Sequence, residues 1–135
     1  GLNPYPFFID SSFKKKEEKF LKKFKSELDQ ITHEQPNPTA AWIAKQHYLQ
    51  KKLNDIVPLL DIFIDHIEYI IKLIGVDYVG IGSDYDGLDC LPQGWKDCLD
   101  HIKIAEALEN RRYSTADIEK VMGQNILRVL DLVSS

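Results

Sequence analysis

A chain of 135 residues with 44% apolar and 28% charged side chains has the composition of one globular domain, which excludes a disordered or low-complexity segment. Its net charge of −4 argues against a general nucleic-acid surface. No run approaches the ~18 apolar residues of a transmembrane segment, and the N-terminus does not read as a signal peptide.

Residues 1–12 open as a Pro-rich aromatic loop, in which Pro4 and Pro6 argue against a helix or a central strand. Ser11 or Ser12 is placed to cap a first helix reaching about Gln30, along which Phe20, Phe24, Leu28 and Ile31 recur at helical spacing. Its other face, from Lys14-Lys15-Lys16 to Lys25, is rich in Lys and Glu and reads as solvated. The breaker His33-Glu34-Gln35-Pro36-Asn37-Pro38 follows. A His-Glu-x-x-His zincin motif would need His at position 37, which is Asn. Thr39 is placed to cap a second helix over about residues 40–55.

Pro58 suits the first turn of a third helix, in which Leu60, Phe63, Ile64, Ile67, Ile71 and Ile74 give the strongest periodicity in the chain. Leu59, Ile62 and Ile70 widen that face and predict burial on more than one side; Gly75 is placed to end the helix. His66 lies on the polar flank with Asp65 and Glu68, where a structural role outweighs that of a ligand. A further helix is expected near residues 99–110, bearing Ile102, Ile104, Ala105 and Leu108. Ser114-Thr115-Ala116-Asp117 then caps a last helix to about Leu132, with Ile118, Val121, Met122, Ile126, Val129 and Val133 as its buried stripe. Cys90 and Cys98 are too few for a disulfide scaffold and lack the spacing of a zinc site; they read as free thiols, although an oxidising compartment would let them pair across the intervening turn.

Between the third helix and residue 88 lies the stretch with chemical content, Val76-Asp77-Tyr78-Val79-Gly80-Ile81-Gly82-Ser83-Asp84-Tyr85-Asp86-Gly87. Its start reads as a buried parallel strand over 76–82 that ends in glycines and delivers carboxylates, as strands do at the active ends of α/β folds. The inventory is therefore about five helices and one clear strand. A lone strand cannot satisfy its own backbone groups, so its neighbours are expected outside this chain or in a second copy, with self-association through the unpaired edge. The fold class is α/β, as the C-terminal part of a larger protein.

Several readings fit the acidic strand end. Gly80-x-Gly82 is a weak dinucleotide fingerprint, because Tyr85 stands where a third glycine belongs. Asp84-x-Asp86-Gly87 resembles the nucleophile loop of haloacid-dehalogenase-type phosphatases, without its Thr. Asp84 also fits the last-strand carboxylate of a metal-dependent (β/α)8 hydrolase, and Asp and Gly after a strand also make plain turns.

A wider resemblance favours the hydrolase. Asp65-His66-Ile67, the run from Leu73 to Gly87, Pro92-x-Gly94 with Asp97, and Gly123-x-Asn125-Ile126-Leu127-Arg128-Val129 resemble the C-terminal segment of the membrane (renal) dipeptidase family, the M19 metallopeptidases. Asn3-x-Tyr5 with Phe8-Ile9-Asp10 resembles the segment leaving strand seven of that family. Residues 11–58 match no general family motif and look like a helical insertion, such as some bacterial members carry, leaving 59–135 as the family core.

The resemblance implies a (β/α)8 barrel with two zinc ions that activate water and polarise a dipeptide carbonyl. It implies that Asp84 contacts the free amine of the substrate or handles a proton, and that Tyr5 contacts the substrate. Asp86 and Gly87 would shape the loop, and Asn125 would bond to backbone. None of His33, His47, His66 or His101 sits in a ligand motif of the family, so no metal is expected in this chain alone and no activity without the upstream barrel. The alternative is a non-catalytic helical interaction module. The chain departs from the usual family pattern at Arg112, where Gly is usual and where a left-handed backbone would cost a non-Gly residue roughly 1–2 kcal/mol, at Gln124 for a second Gly, and at His101-Ile102 for Tyr-Pro.

Overall fold

The computed structural model describes residues 1–88 and 90–134, with the backbone alone of Asp86. The chain builds α1 (Pro6–Ile9), α2 (Phe13–Lys23), α3 (Lys25–His33), α4 (Pro38–Leu53), α5 (Leu60–Ile74), α6 (His101–Asn110), α7 (Thr115–Glu119) and α8 (Asn125–Val133). Among the described residues there is no sheet, only two isolated parallel bridges, Leu2 to Ile81 and Leu59 to Gln93.

The N-terminal loop contains a helical turn that its prolines seemed to forbid. Pro6 sits at the first helical position of α1, where a missing N–H costs nothing. The first expected helix is two, broken at Phe24, and the break returns α3 against α4. Phe24 there meets the rings of Phe20 at 4.6 Å and Tyr48 at 6.2 Å. Helix α4 is capped by Asn37 rather than Thr39: Pro38 takes the first helical position, and Asn37 Oδ1 accepts from Ala40 N at 2.9 Å. These helices share a small apolar core of Phe13, Phe20, Leu53 and Val57.

The main core gathers Ile9, Phe63, Ile64, Ile67, Val79, Trp95, Ile104, Leu108 and Val121 around α5. Only one face of α5 is covered, against the expectation of burial on more than one side, since Leu73 and Tyr69 are exposed. Gly75, at φ 93°, ends the helix as expected. The polar flank of α5 ties down its neighbours. His66 Nε2 lies 3.0 Å from the Ile9 carbonyl, and Arg111 Nη1 donates to Asp65 at 2.6 Å and Glu68 at 2.7 Å. Burial opposes the charge of Arg111, but these two carboxylates outweigh it and raise its pKa.

The expected strand over 76–82 is mostly absent. Val76–Tyr78 is a 3-10 turn closed by Tyr78 N to Gly75 O and Val79 N to Val76 O, each 3.3 Å. The chain is extended at Val79, and its one strand-like pairing among the described residues is made by its own N-terminus: Leu2 N donates to Gly80 O at 2.7 Å and Gly82 N to Leu2 O at 2.8 Å. One neighbour of the segment is thus inside the chain, contrary to expectation.

Ser114 caps α7 as expected, its hydroxyl accepting from Asp117 N at 3.2 Å. The last helix is not continuous, because a π turn over Lys120–Gln124 separates α7 from α8. A wide turn inserts a residue into the helical count and shifts the phase beyond it. Val121 stays buried, but Ile126, Val129 and Val133 leave the expected stripe for solvent, and Asn125 is buried instead.

Candidate active site

The site is the end of the extended segment after Val79, and the helices behind grip its start. Asn125, 6% exposed, donates from Nδ2 to Val76 O at 2.7 Å and Val79 O at 2.8 Å. Arg128 Nη2 donates to Asp77 O at 2.6 Å. Lys120 Nζ pairs with Asp77 Oδ1 at 2.7 Å, and that hydrogen bond holds the Asp77 carboxyl below its ordinary pKa. Gly80 lies under α8: a Cβ there would come within 3.1 Å of Ile126 Cγ1.

Asp84 follows in the left-handed region, at φ 50° and ψ 40°, a conformation Asp tolerates better than most residues. It is exposed, and its carbonyl accepts from Gly87 N at 3.0 Å to close the turn Tyr85–Gly87. Its Oδ2 accepts from Asn3 Nδ2 at 3.2 Å. Asn3 Oδ1 in turn accepts from Tyr5 N at 2.9 Å. The two site residues read from the sequence, Asp84 and Tyr5, are therefore joined through Asn3. The ring of Tyr5 packs with Phe7 at 5.1 Å and edge-on with Phe8 at 5.4 Å. The side chain of Asp86 lies outside the described residues.

Tyr85 anchors the far side of the turn. Its hydroxyl accepts from the buried Trp95 Nε1 at 2.8 Å, and its ring stacks on His101 at 5.8 Å. Burial raises the pKa of the Tyr85 phenol, partly offset by the Trp95 hydrogen bond. His101 Nε2 is buried without a hydrogen-bond partner among the described residues. Tyr85, Trp95, Cys90 and Cys98, with Gln50 and Lys51 of α4, line a cavity of about 670 Å³. Cys90 and Cys98 are not joined to each other by a disulfide.

Among the described residues no three His, Cys, Asp or Glu side chains converge to hold a metal ion.

An exposed carboxylate held by an amide at the end of an extended segment, with glycines before it and an aromatic anchor behind, is chemically able to accept a proton or attract an ammonium group. The chain belongs to the membrane dipeptidase family, peptidase family M19, which it matches over residues 21–135. It is 39% identical over 67 residues to dipeptidase tcpJ of Claviceps purpurea, a stretch that is 50% of this chain and 16% of that protein. It is 42% identical over 66 residues to dipeptidase aclJ of Aspergillus oryzae, covering 49% and 16%. To human dipeptidase 3 it is 37% identical over 65 residues, covering 48% and 13%. The matched stretch is thus about one sixth of each relative's length or less. The family match begins at Leu21, within the segment that reads as an insertion.

Proposed function

We propose that this chain is the C-terminal part of a (β/α)8 zinc dipeptidase acting on dipeptides with a free amino group, to which it contributes Asp84 and Tyr5. The observation that carries this is the coincidence of the family match over residues 21–135 with a carboxylate presented at the end of the segment after Val79. The parallel bridge from Leu2 to Ile81 supports reading the two segments as neighbouring strand ends of one barrel. The exposed apolar faces of α5 and α8, with Leu73 at 64%, Leu127 at 60% and Leu130 at 52%, support further structure packed on them in the whole protein.

On this reading Asp84 attracts the substrate ammonium or takes part in proton transfer to the leaving nitrogen, and the Tyr5 side chain contacts the substrate. Residues outside this chain hold two zinc ions, and this chain alone hydrolyses nothing. Residues 11–58 are a helical insertion beside the barrel.

The test is Asp84→Asn in the full-length protein. Asn also tolerates left-handed backbone, so the change removes charge without straining the turn. Turnover of a dipeptide should fall at least ~10²-fold while zinc content stays unchanged. Turnover close to that of the parent would remove Asp84 from the reaction.

A further inference from the structure

We infer that the Asp84 carboxylate is held from two sides by residues with no chemical role of their own: Asn3, as an amide donor, and Gly87, as vacant space. The inference rests on the reading of Asp84 given above and names two positioning residues for the same site.

The Asn3 side chain is committed in both directions. Its Oδ1 is engaged by Tyr5 N at 2.9 Å, which fixes the amide plane and points Nδ2 at Asp84 Oδ2, 3.2 Å away. The backbone beside it is fixed as well, because Leu2 is bridged to Gly80 and Gly82. The donor thus sits on a segment already registered against the one that carries its acceptor.

Gly87 supplies the other side. Its backbone has no need of glycine, since only Gly75 and Gly94 have a left-handed φ among the described glycines. A Cβ on Gly87 would instead lie 2.9 Å from Asp84 Cγ and overlap Oδ1. The carboxylate folds over the bare Cα. It is the end of a side chain, so an alanine there displaces the carboxylate rather than the turn.

Asn3→Asp separates the two hydrogen bonds. It keeps the acceptor for Tyr5 N, loses the donor and sets a second carboxylate against the first. In the full-length enzyme, Asn3→Asp and Gly87→Ala should each lower dipeptide turnover by roughly 10–10²-fold, the order expected when a reacting group is misplaced by about 1 Å. Neither should lower it further in an Asp84→Asn background, because the group they aim is gone. Equal losses in both backgrounds would show a merely structural role and overturn the inference, as would unchanged turnover of both variants beside an impaired Asp84→Asn. If Asp84→Asn itself retains full turnover, the reading of Asp84 fails, and placement is decided by NMR on this chain. The Asn3 side-chain amide resonances should move on Asp84→Asn and on Gly87→Ala, and the Tyr5 amide should stay in place on Asn3→Asp. Asn3 resonances that ignore both changes, in spectra otherwise like the parent's, would overturn the placement.

Discussion

Replacing Asn125 by Ala tests whether the C-terminal helices grip the segment that leads to Asp84. The side chain is 6% exposed and donates two hydrogen bonds, at 2.7 Å to Val76 O and 2.8 Å to Val79 O. Ala removes both donors and leaves two carbonyls behind. The Val79 carbonyl is buried with the bond it makes, so losing its partner costs about 1–3 kcal/mol. The Val76 carbonyl is only partly buried and also accepts from Val79 N at 3.3 Å, so its loss lies nearer ~0.5–1 kcal/mol. The expected destabilisation is about 1.5–4 kcal/mol, read from urea unfolding followed by far-UV circular dichroism. Asn125→Asp sharpens the test: it keeps the shape but turns acceptor oxygens toward two carbonyls, and should cost more than Ala. A loss under ~0.5 kcal/mol for Ala, the size of an ordinary surface change, or an Asp variant milder than Ala, would refute the grip.

Three further outcomes follow from the same geometry. Arg112→Gly should stabilise the chain by roughly 0.5–1 kcal/mol, because Arg112 sits at φ 66° where a left-handed L-residue costs ~1–2 kcal/mol and the added freedom of unfolded Gly offsets part of the gain; Arg112→Ala should not, and equal melting shifts for the two would locate the effect in the guanidinium instead. Trp95→Phe should cost about 1–3 kcal/mol, because it withdraws a buried donor from Tyr85 Oη at 2.8 Å and Asp97 O at 3.1 Å, and it should loosen the Tyr85 ring in NMR line shapes. Asp77 and Asp100 have carboxyls held below the ordinary pKa by their bonds to Lys120 and Lys103, so their contribution is present above about pH 4 and is lost as pH falls through the depressed folded values; Asp77→Asn should flatten the acid limb of stability against pH, and an unaltered limb would count against the Lys120 pair.

Helices with one clean apolar stripe and local end signals were legible from sequence. Helix α5 reads from its periodicity and Gly75, α6 from Ile104 and Leu108, and the start of α7 from Ser114. The end of α6 was legible too: Arg112 N donates to Glu109 O at 2.8 Å and Tyr113 N to Leu108 O at 3.1 Å, a Schellman closure with an Arg where the family favours Gly. Features set by tertiary contact were not legible. The break at Phe24 has no proline or glycine to announce it, and the π turn changes helical phase without a breaker in its sequence other than Gly123. In the site, Asp84 stands out because Gly and Ser isolate it at the end of an apolar run. Asn3 does not, because its partner lies 81 residues away and Asn before Pro reads as an ordinary turn.

The missing strand has a physical explanation in the same contacts. Val76–Tyr78 has the composition of a strand, but the acceptors a sheet neighbour would use are taken by side chains from behind: Val76 O and Val79 O by Asn125, and Asp77 O by Arg128. With those carbonyls satisfied, the 3-10 turn after Gly75 leaves none of them orphaned, and extension is delayed to Val79. From there the helices stop supplying these bonds and Leu2 begins, through Gly80 O and Gly82 N, the two-bond footprint of one parallel bridge. The handover falls just before Ser83 and Asp84. The carboxylate therefore projects from the point where a segment fixed on one side by helix side chains and on the other by the N-terminal backbone first leaves both, and Asn3, next to Leu2, is the first residue able to reach it.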